Sequence, residues 1–392
     1  MSIVEHLRGG PAYLDYNATT PVDPDVLEAM LPYLTTHFGN PSSGHAYGRP
    51  AAAGVAGARA QVAHLIGAVP EEIVFAGSGS EANTLALRGA LLPALREGRD
   101  HLVTQITEHP SVLETCEALK RLHGIWVTYL PVDEHGLVDP EALRAAVTDR
   151  TALVSVHHAN GETGTLQPIA ELAAIAHEAG ALFHTDASQT IGKIPVDVRA
   201  LGVDLLTVTG HKFYAPKGVA ALYMPERFHF EPVVCGGGQE RRQRAGTENV
   251  PALVGLGAAA VKAAELLPRE PPRLAALRDT LHDQLSQALP GRITLNGHPD
   301  HRLPNTLNIS VDGVIAAEAL AAATDLAAST ASACHSGSHR PSDVLLAMGI
   351  SAPRALGAFR LSLGRWSTAT DLDRAAGAIT KAVSEAPLEG RP

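Results

Sequence analysis

Two residues define the chemistry this chain could carry. Lys212 sits in Thr209-Gly210-His211-Lys212-Phe213-Tyr214-Ala215-Pro216-Lys217-Gly218, directly after a short apolar run over 203–208. The run reads as a strand, and the Gly-containing turn after it presents one lysine. Upstream by 26 residues, His184-Thr185-Asp186-Ala187-Ser188-Gln189 is another strand end and carries an acid. A lysine for a Schiff base and an acid that keeps a pyridine nitrogen protonated are what pyridoxal phosphate needs from a protein. The spacing leaves room for one connection and one more strand. Alone, Gly-His-Lys fits a surface turn and Asp186 fits a helix N-cap. Their joint placement points to chemistry.

Four further segments carry reactive groups. Gly77-Ser78-Gly79-Ser80-Glu81-Ala82-Asn83 follows a strand and opens a helix. N–H groups at a helix start carry positive partial charge and bind phosphate, with the Ser80 hydroxyl as a further donor. The segment is neither a Walker loop nor a dinucleotide fingerprint, and an ordinary capped helix is the alternative. Thr107-Glu108-His109-Pro110-Ser111 puts an imidazole at a strand-to-helix turn. It could stack on a flat cofactor or move protons; a lone surface histidine is the plainer reading. Ser332-Ala333-Cys334-His335-Ser336-Gly337-Ser338 surrounds a cysteine with small polar residues and a histidine. That setting favours an accessible thiol with thiolate character over a buried hydrophobe. Arg360 opens Arg360-Leu361-Ser362-Leu363-Gly364. Its planar fork suits a substrate carboxylate or a structural ion pair.

These residues need a scaffold, and the pattern supplies one. From about residue 13 to 260, short apolar strands alternate with helical segments. Strands are expected over 72–75, 101–104, 126–130, 152–157, 181–185, 205–209 and 219–224. Helices are expected over 25–34, 51–66, 81–91, 111–122 and 169–179. Such alternation implies an α/β fold with a mostly parallel sheet, helices on both faces and sites at the carboxyl ends of the strands. A second part begins near residue 252, with helices over 252–267 and 274–289 separated by the breaker Pro268-Arg269-Glu270-Pro271-Pro272. Strands over 293–295 and 306–310 and a helix near 316–323 follow. Residues 328–341 read as an exposed loop around Cys334.

Composition narrows the field. A chain of 392 residues exceeds one simple core, so two domains are expected. A formal net charge of −10 gives no general attraction for nucleic acid or anionic membrane. The sequence shows no membrane span and no signal peptide, which makes the cytoplasm the expected location. Three cysteines, Cys116, Cys235 and Cys334, argue for a reducing compartment rather than a disulfide framework. None forms a C-x-x-C pair, and His157-His158 would point to opposite faces of a strand, so no metal site is expected. Cys116 fits helix packing; Cys235, beside three glycines, is open in role.

Together the segments resemble the cysteine desulfurases of class V of the fold-type I pyridoxal-phosphate enzymes. The likeness runs from Tyr13-Leu14-Asp15-Tyr16-Asn17-Ala18-Thr19-Thr20-Pro21 to about Trp366. It includes Phe38-Gly39-Asn40-Pro41-Ser42-Ser43, Arg244-Ala245-Gly246-Thr247-Glu248-Asn249 and the segments quoted above. The long cysteine loop, well ahead of Pro341-Ser342-Asp343-Val344-Leu345, resembles the housekeeping and nitrogenase-associated branch. The resemblance implies an aspartate-aminotransferase-like fold: a large domain over 13–260 with a seven-stranded sheet, and a smaller α+β domain from 1–12 and 261–392. It implies a homodimer that converts L-cysteine to L-alanine and passes sulfur onward to an acceptor protein, such as an iron–sulfur scaffold or a tRNA-thiolation protein.

Roles carry over residue by residue. Lys212 holds the cofactor and shuttles the Cα proton. His109 stacks on the ring, Asp186 pairs with the pyridine nitrogen, and Gln189 reaches the ring oxygen. Gly79, Ser80, Thr209 and His211 hold the phosphate, with Thr247 doing so from the partner subunit. Arg360, with Asn40 nearby, orients the substrate carboxylate, and Cys334 takes the sulfur as a persulfide on a mobile arm.

The chain departs from the family at three points. Asn160-Gly161-Glu162 stands where two asparagines usually precede the glutamate, so one contact to the ring oxygen is missing at Gly161. Ser80 replaces a usual threonine, and Cys235 a frequent histidine. Rival readings are a class V aminotransferase, which would not need Cys334, a relative acting on selenocysteine or cysteine sulfinate, and a non-catalytic scaffold.

Overall fold

The computed structural model describes residues 3–226, 228, 230–330 and 340–385. In chain order the first strands are Ala12–Tyr13 (β1), Ile73–Ala76 (β2), His101–Gln105 (β3), Trp126–Leu130 (β4), Thr151–Ser155 (β5), Leu182–Asp186 (β6), Leu205–Thr209 (β7) and Ala220–Tyr223 (β8). The rest are Ile293–Leu295 (β9), Thr306–Val311 (β10), Leu326–Ala327 (β11), Ser329–Thr330 (β12) and Ala358–Ser362 (β13).

Alternation of side chains along each strand builds two cores around one sheet. Val74, Leu102, Leu153, Leu205 and Leu222 point to one face. Their neighbours Phe75, Val103, Val154, Leu206 and Tyr223 point to the other. Both faces are covered by helices, so these strands read as continuous apolar runs. The sheet has seven strands in the order β2-β8-β7-β6-β5-β3-β4. All neighbours are parallel except β8, which is antiparallel to β2 and β7. The parallel strands β3, β6 and β7 therefore end on one edge, and the segments carrying His109, Asp186 and Lys212 follow those ends.

A second sheet, ordered β12-β13-β10-β9, is antiparallel, and β1 pairs with β11 beside it. Its core joins Leu14 to Leu281, Ile309, Phe359, Leu361 and Ile379. The helix Ala369–Glu385, unmarked in the sequence reading, buries Leu372, Ala375, Ile379 and Val383 here.

Two expectations change. Pro271 and Pro272 do not separate two helices from outside: they lie in the first turn of the helix Glu270–Ala288. Proline is tolerated there because the first-turn N–H groups have no helical partner. Residues 328–341 are not wholly loop, since Ser329 and Thr330 pair with Arg360 and Phe359. Residues 331–339, and with them Cys334, lie outside the described residues.

Candidate active site

Lys212 closes the short 3-10 turn Gly210–Lys212 after β7. Its Nζ donates to the main-chain carbonyls of Asn17 at 2.7 Å and Ala18 at 2.8 Å. These acceptors are neutral. Burial, reinforced by the Arg360 cation, therefore lowers its pKa to about 8.

Asp186 ends β6 and is buried. Asn83, on the helix Gly79–Leu95, donates its amide to Oδ2 at 2.8 Å, and the Ser188 N–H donates to Oδ1 at 2.9 Å. Burial opposes ionisation, but the bonds from Ser188 and Asn83 outweigh it and hold the carboxyl below its ordinary range. His109 caps the helix Pro110–His123, with Nδ1 accepting from the Ser111 N–H at 3.1 Å. Although its surface is exposed, the protein packed around it lowers its pKa. The Asp186 charge opposes that effect, and the Lys212 charge adds to it.

Gly79 and Ser80 open their helix beside Thr209. A Cβ on Gly79 would fall 2.1 Å from Thr209 Oγ1, so only glycine permits this approach. Thr209 Oγ1 lies 2.7 Å from Ser188 Oγ, and Ser80 is exposed at the helix start. Burial and two nearby lysines lower His211 to about 4, which leaves it neutral; its Nδ1 lies 3.1 Å from Thr19 Oγ1.

Arg360 is drawn to the same place but is already engaged. It donates to Asp15 Oδ1 at 2.8 Å and to the Gly161 carbonyl at 3.5 Å. Gln189 donates through Nε2 to the Asn17 carbonyl at 3.1 Å. Asn160 accepts from the N–H groups of Glu162 and Thr163 at 2.8 and 2.9 Å, so its oxygen is spent on its own turn. Asn40 and Thr247, both exposed, line a different groove of about 290 Å³ with Tyr33, His37 and Phe38. Cys116 is buried, which pushes its thiol up to about 12, and Cys235 is exposed.

The sequence reading assigned no part to Asn17, Asn83, Ser188 or Lys193. Asn83 and Ser188 stood inside quoted motifs, so the signal was present. Asn17 acts on Lys212 through its main chain, which residue type does not reveal.

A family model described as aminotransferase class-V matches residues 12–375. The chain belongs to that family. A cysteine desulfurase IscS from Anaeromyxobacter dehalogenans is 48% identical over 368 residues, covering 93% of this chain and 90% of the relative. A solved NifS-like protein superposes with a TM-score of 0.89 at 34% identity, covering 95% of this chain and 99% of the other. SspA, solved in complex with cysteine, gives 0.80 at 35% identity, covering 90% and 98%. Among the described residues no single helix is long and apolar enough to cross a membrane.

Proposed function

We infer that the protein is a pyridoxal-phosphate-dependent cysteine desulfurase, which releases L-alanine from L-cysteine and leaves the sulfur as a persulfide on Cys334. The observation that carries this reading is the placement of Asp186 and Lys212 at the ends of the neighbouring parallel strands β6 and β7, the amine held on neutral carbonyls and the acid on N–H donors. The donor set fits the cofactor. Asp186 would hold the pyridine nitrogen, Lys212 would bind the aldehyde carbon, and Ser80, Ser188, Thr209 and the helix start at Gly79 would hold the phosphate. When bound, the cofactor supplies a ring that withdraws electrons from the substrate Cα.

The residues of the chain then divide the work. Lys212, whose hydrogen-bond acceptors are neutral carbonyls, takes and returns a proton at Cα. His109, which feels the charges of both Asp186 and Lys212, serves as a proton carrier. Arg360 receives the substrate carboxylate in exchange for Asp15. The Cys334 thiolate forms a bond to the substrate sulfur as the Cβ–Sγ bond breaks, and an acceptor protein's thiol later removes that sulfur. The cofactor-binding unit is proposed over 13–260 and the smaller one over 1–12 and 261–392, although Leu14 packs into the smaller core and Ala263 into the larger one. The cytoplasm is the proposed compartment.

A homodimer completes the reading. Leu27, Leu31 and Leu34 leave 49%, 50% and 59% of their surface exposed on one face of the helix Pro24–Thr35. Phe38 and Tyr47 expose 68% and 63% beside them. An apolar stripe of this kind marks an interface. The groove holding Asn40 and Thr247 adjoins it, which suits a Thr247 that serves the partner's phosphate site.

Mass spectrometry of the cysteine-treated protein tests the function. One added sulfur is expected on the peptide containing Cys334, and Cys334→Ser should keep the cofactor colour while losing turnover. Normal sulfide release by the serine variant would refute the assigned role of Cys334.

A further inference from the structure

Lys193 is a buried lysine with only 8% of its surface exposed, in the turn that follows Asp186 and Gln189. Its Nζ donates to Gln189 Oε1 at 2.8 Å and to Asn17 Oδ1 at 3.0 Å. Both acceptors are neutral amides. Burial and the cations of Lys212 and Arg360 hold its pKa well below that of an ordinary lysine. An amine buried in this way costs stability, and packing alone does not call for it.

What the amine imposes is direction. Nζ is the donor in both contacts, and as an ammonium it has no acceptor, so each amide turns its oxygen toward it. Asn17 is fixed by other contacts as well. Asn305 donates to its Oδ1 at 3.0 Å, and its own Nδ2 donates to Thr306 Oγ1 at 2.8 Å and the Gly161 carbonyl at 3.2 Å. Gln189 has less support: Lys193 holds its oxygen, and the Asn17 carbonyl receives its nitrogen at 3.1 Å. An amide nitrogen carries two hydrogens, so one N–H of Gln189 remains for another acceptor. A Cβ at Gly161 would stand 3.1 Å from that nitrogen, so the glycine leaves the amide its room.

We propose that Lys193 is a positioning residue of the cofactor site, fixing the sense of the Gln189 amide so that its nitrogen faces the reaction centre beside Gly161. The proposal rests on the pyridoxal-phosphate reading of Lys212 and Asp186. It makes Gln189 a donor to the cofactor ring oxygen and makes that donor depend on Lys193.

The test is a double-mutant cycle on the full chain with Lys193→Met, which keeps the stem and removes the donors, and Gln189→Ala. Three quantities are read: affinity of the apoprotein for pyridoxal phosphate, position of the visible absorption band of the holoenzyme, and melting midpoint. Lys193→Met should weaken affinity about tenfold and shift the band. In the Gln189→Ala background it should change affinity by no more than about twofold and leave the band in place. Losses that add independently, or a Lys193→Met protein with the parent's affinity and band, overturn the proposal. If Lys193→Met does not fold, Lys193→Gln replaces it, since an amide there can offer oxygen or nitrogen and no longer dictates the sense of Gln189. Parent-like affinity and band in that variant also overturn it. Borohydride reduction of the parent separates the two readings. A label absent from Lys212 sinks the cofactor assignment, whereas a label on Lys212 with an indifferent Lys193 sinks only this inference.

Discussion

Arg360 donates to the Asp15 carboxylate at 2.8 Å, with both side chains largely buried. The guanidinium proposed for the substrate carboxylate is thus held by an internal acid, and on that proposal substrate binding would exchange one carboxylate for another. Asp15→Asn weakens the resident pair without removing the fork. The expected result is a lower KM for L-cysteine, by about threefold to tenfold, with kcat changed less. Arg360→Lys, which loses the fork, should raise KM by about tenfold or more. Steady-state alanine formation measures both. A KM that rises in Asp15→Asn would show that Asp15 orients Arg360 rather than competing for it.

Lys212 supplies a pH signature. At pH 7.5 an ordinary lysine would hold on the order of 0.1% free amine. One with a pKa of about 8 holds about a quarter. The rate at which apoprotein captures pyridoxal phosphate should therefore rise from pH 6.5 and level off above about 8.5. Arg360 disfavours the ammonium form, so Arg360→Gln should move the midpoint upward. Stopped-flow absorbance across this range reads it. A parent midpoint near 10 would remove the argument for an activated amine.

The residues legible from sequence are those whose chemistry lives in the side chain at a strand end. Lys212, Asp186 and His109 stand at or just after the ends of parallel strands, and strand–helix alternation implies that common edge from sequence alone. Asn17 could not be read this way, because it meets Lys212 through a carbonyl that every residue has. Lys193 was equally hidden: a lysine after Gly192 reads as a surface turn, and only long-range contacts with residue 17 show it buried. The strand around Arg360 was missed although Phe359 and Leu361 flank it with period two, since five residues give a weak signal. Arg360 itself was assigned to a ligand or an ion pair, and the fold selects the pair with Asp15 while leaving exchange open.

Glu108 links the site to stability. It is buried, receives Gln105 Nε2 at 2.8 Å and the His157 N–H at 2.5 Å, and burial raises its pKa to about 8. Its folded pKa lies above its unfolded value of about 4.3, so the native state binds the extra proton. Stability from this group is therefore full below about pH 4 and is lost as pH rises through about 8. Glu108→Gln copies the protonated form. Its apoprotein should melt higher than the parent at pH 8.5 by a few degrees, on the order of 3 °C, with the gap closing toward pH 5. A gap independent of pH, measured by differential scanning calorimetry, would show that Glu108 is not protonated in the fold.

The exposed leucine stripe gives the dimer a direct trial. Leu27, Leu31 and Leu34 recur at helical spacing, and Tyr33, Phe38 and Thr247 line the adjoining groove. Leu31→Asp places a charge at the centre of that face, where half of the leucine's surface is exposed. The parent should elute at twice the chain mass, and the variant at the mass of one chain. Because Thr247 is assigned to the partner's phosphate site, the separated chains should also bind pyridoxal phosphate about tenfold more weakly, while their secondary structure stays intact. Size-exclusion chromatography with light scattering and cofactor titration together decide the matter. A parent that is monomeric at micromolar concentration and holds the cofactor firmly would mean that the site is complete within one chain.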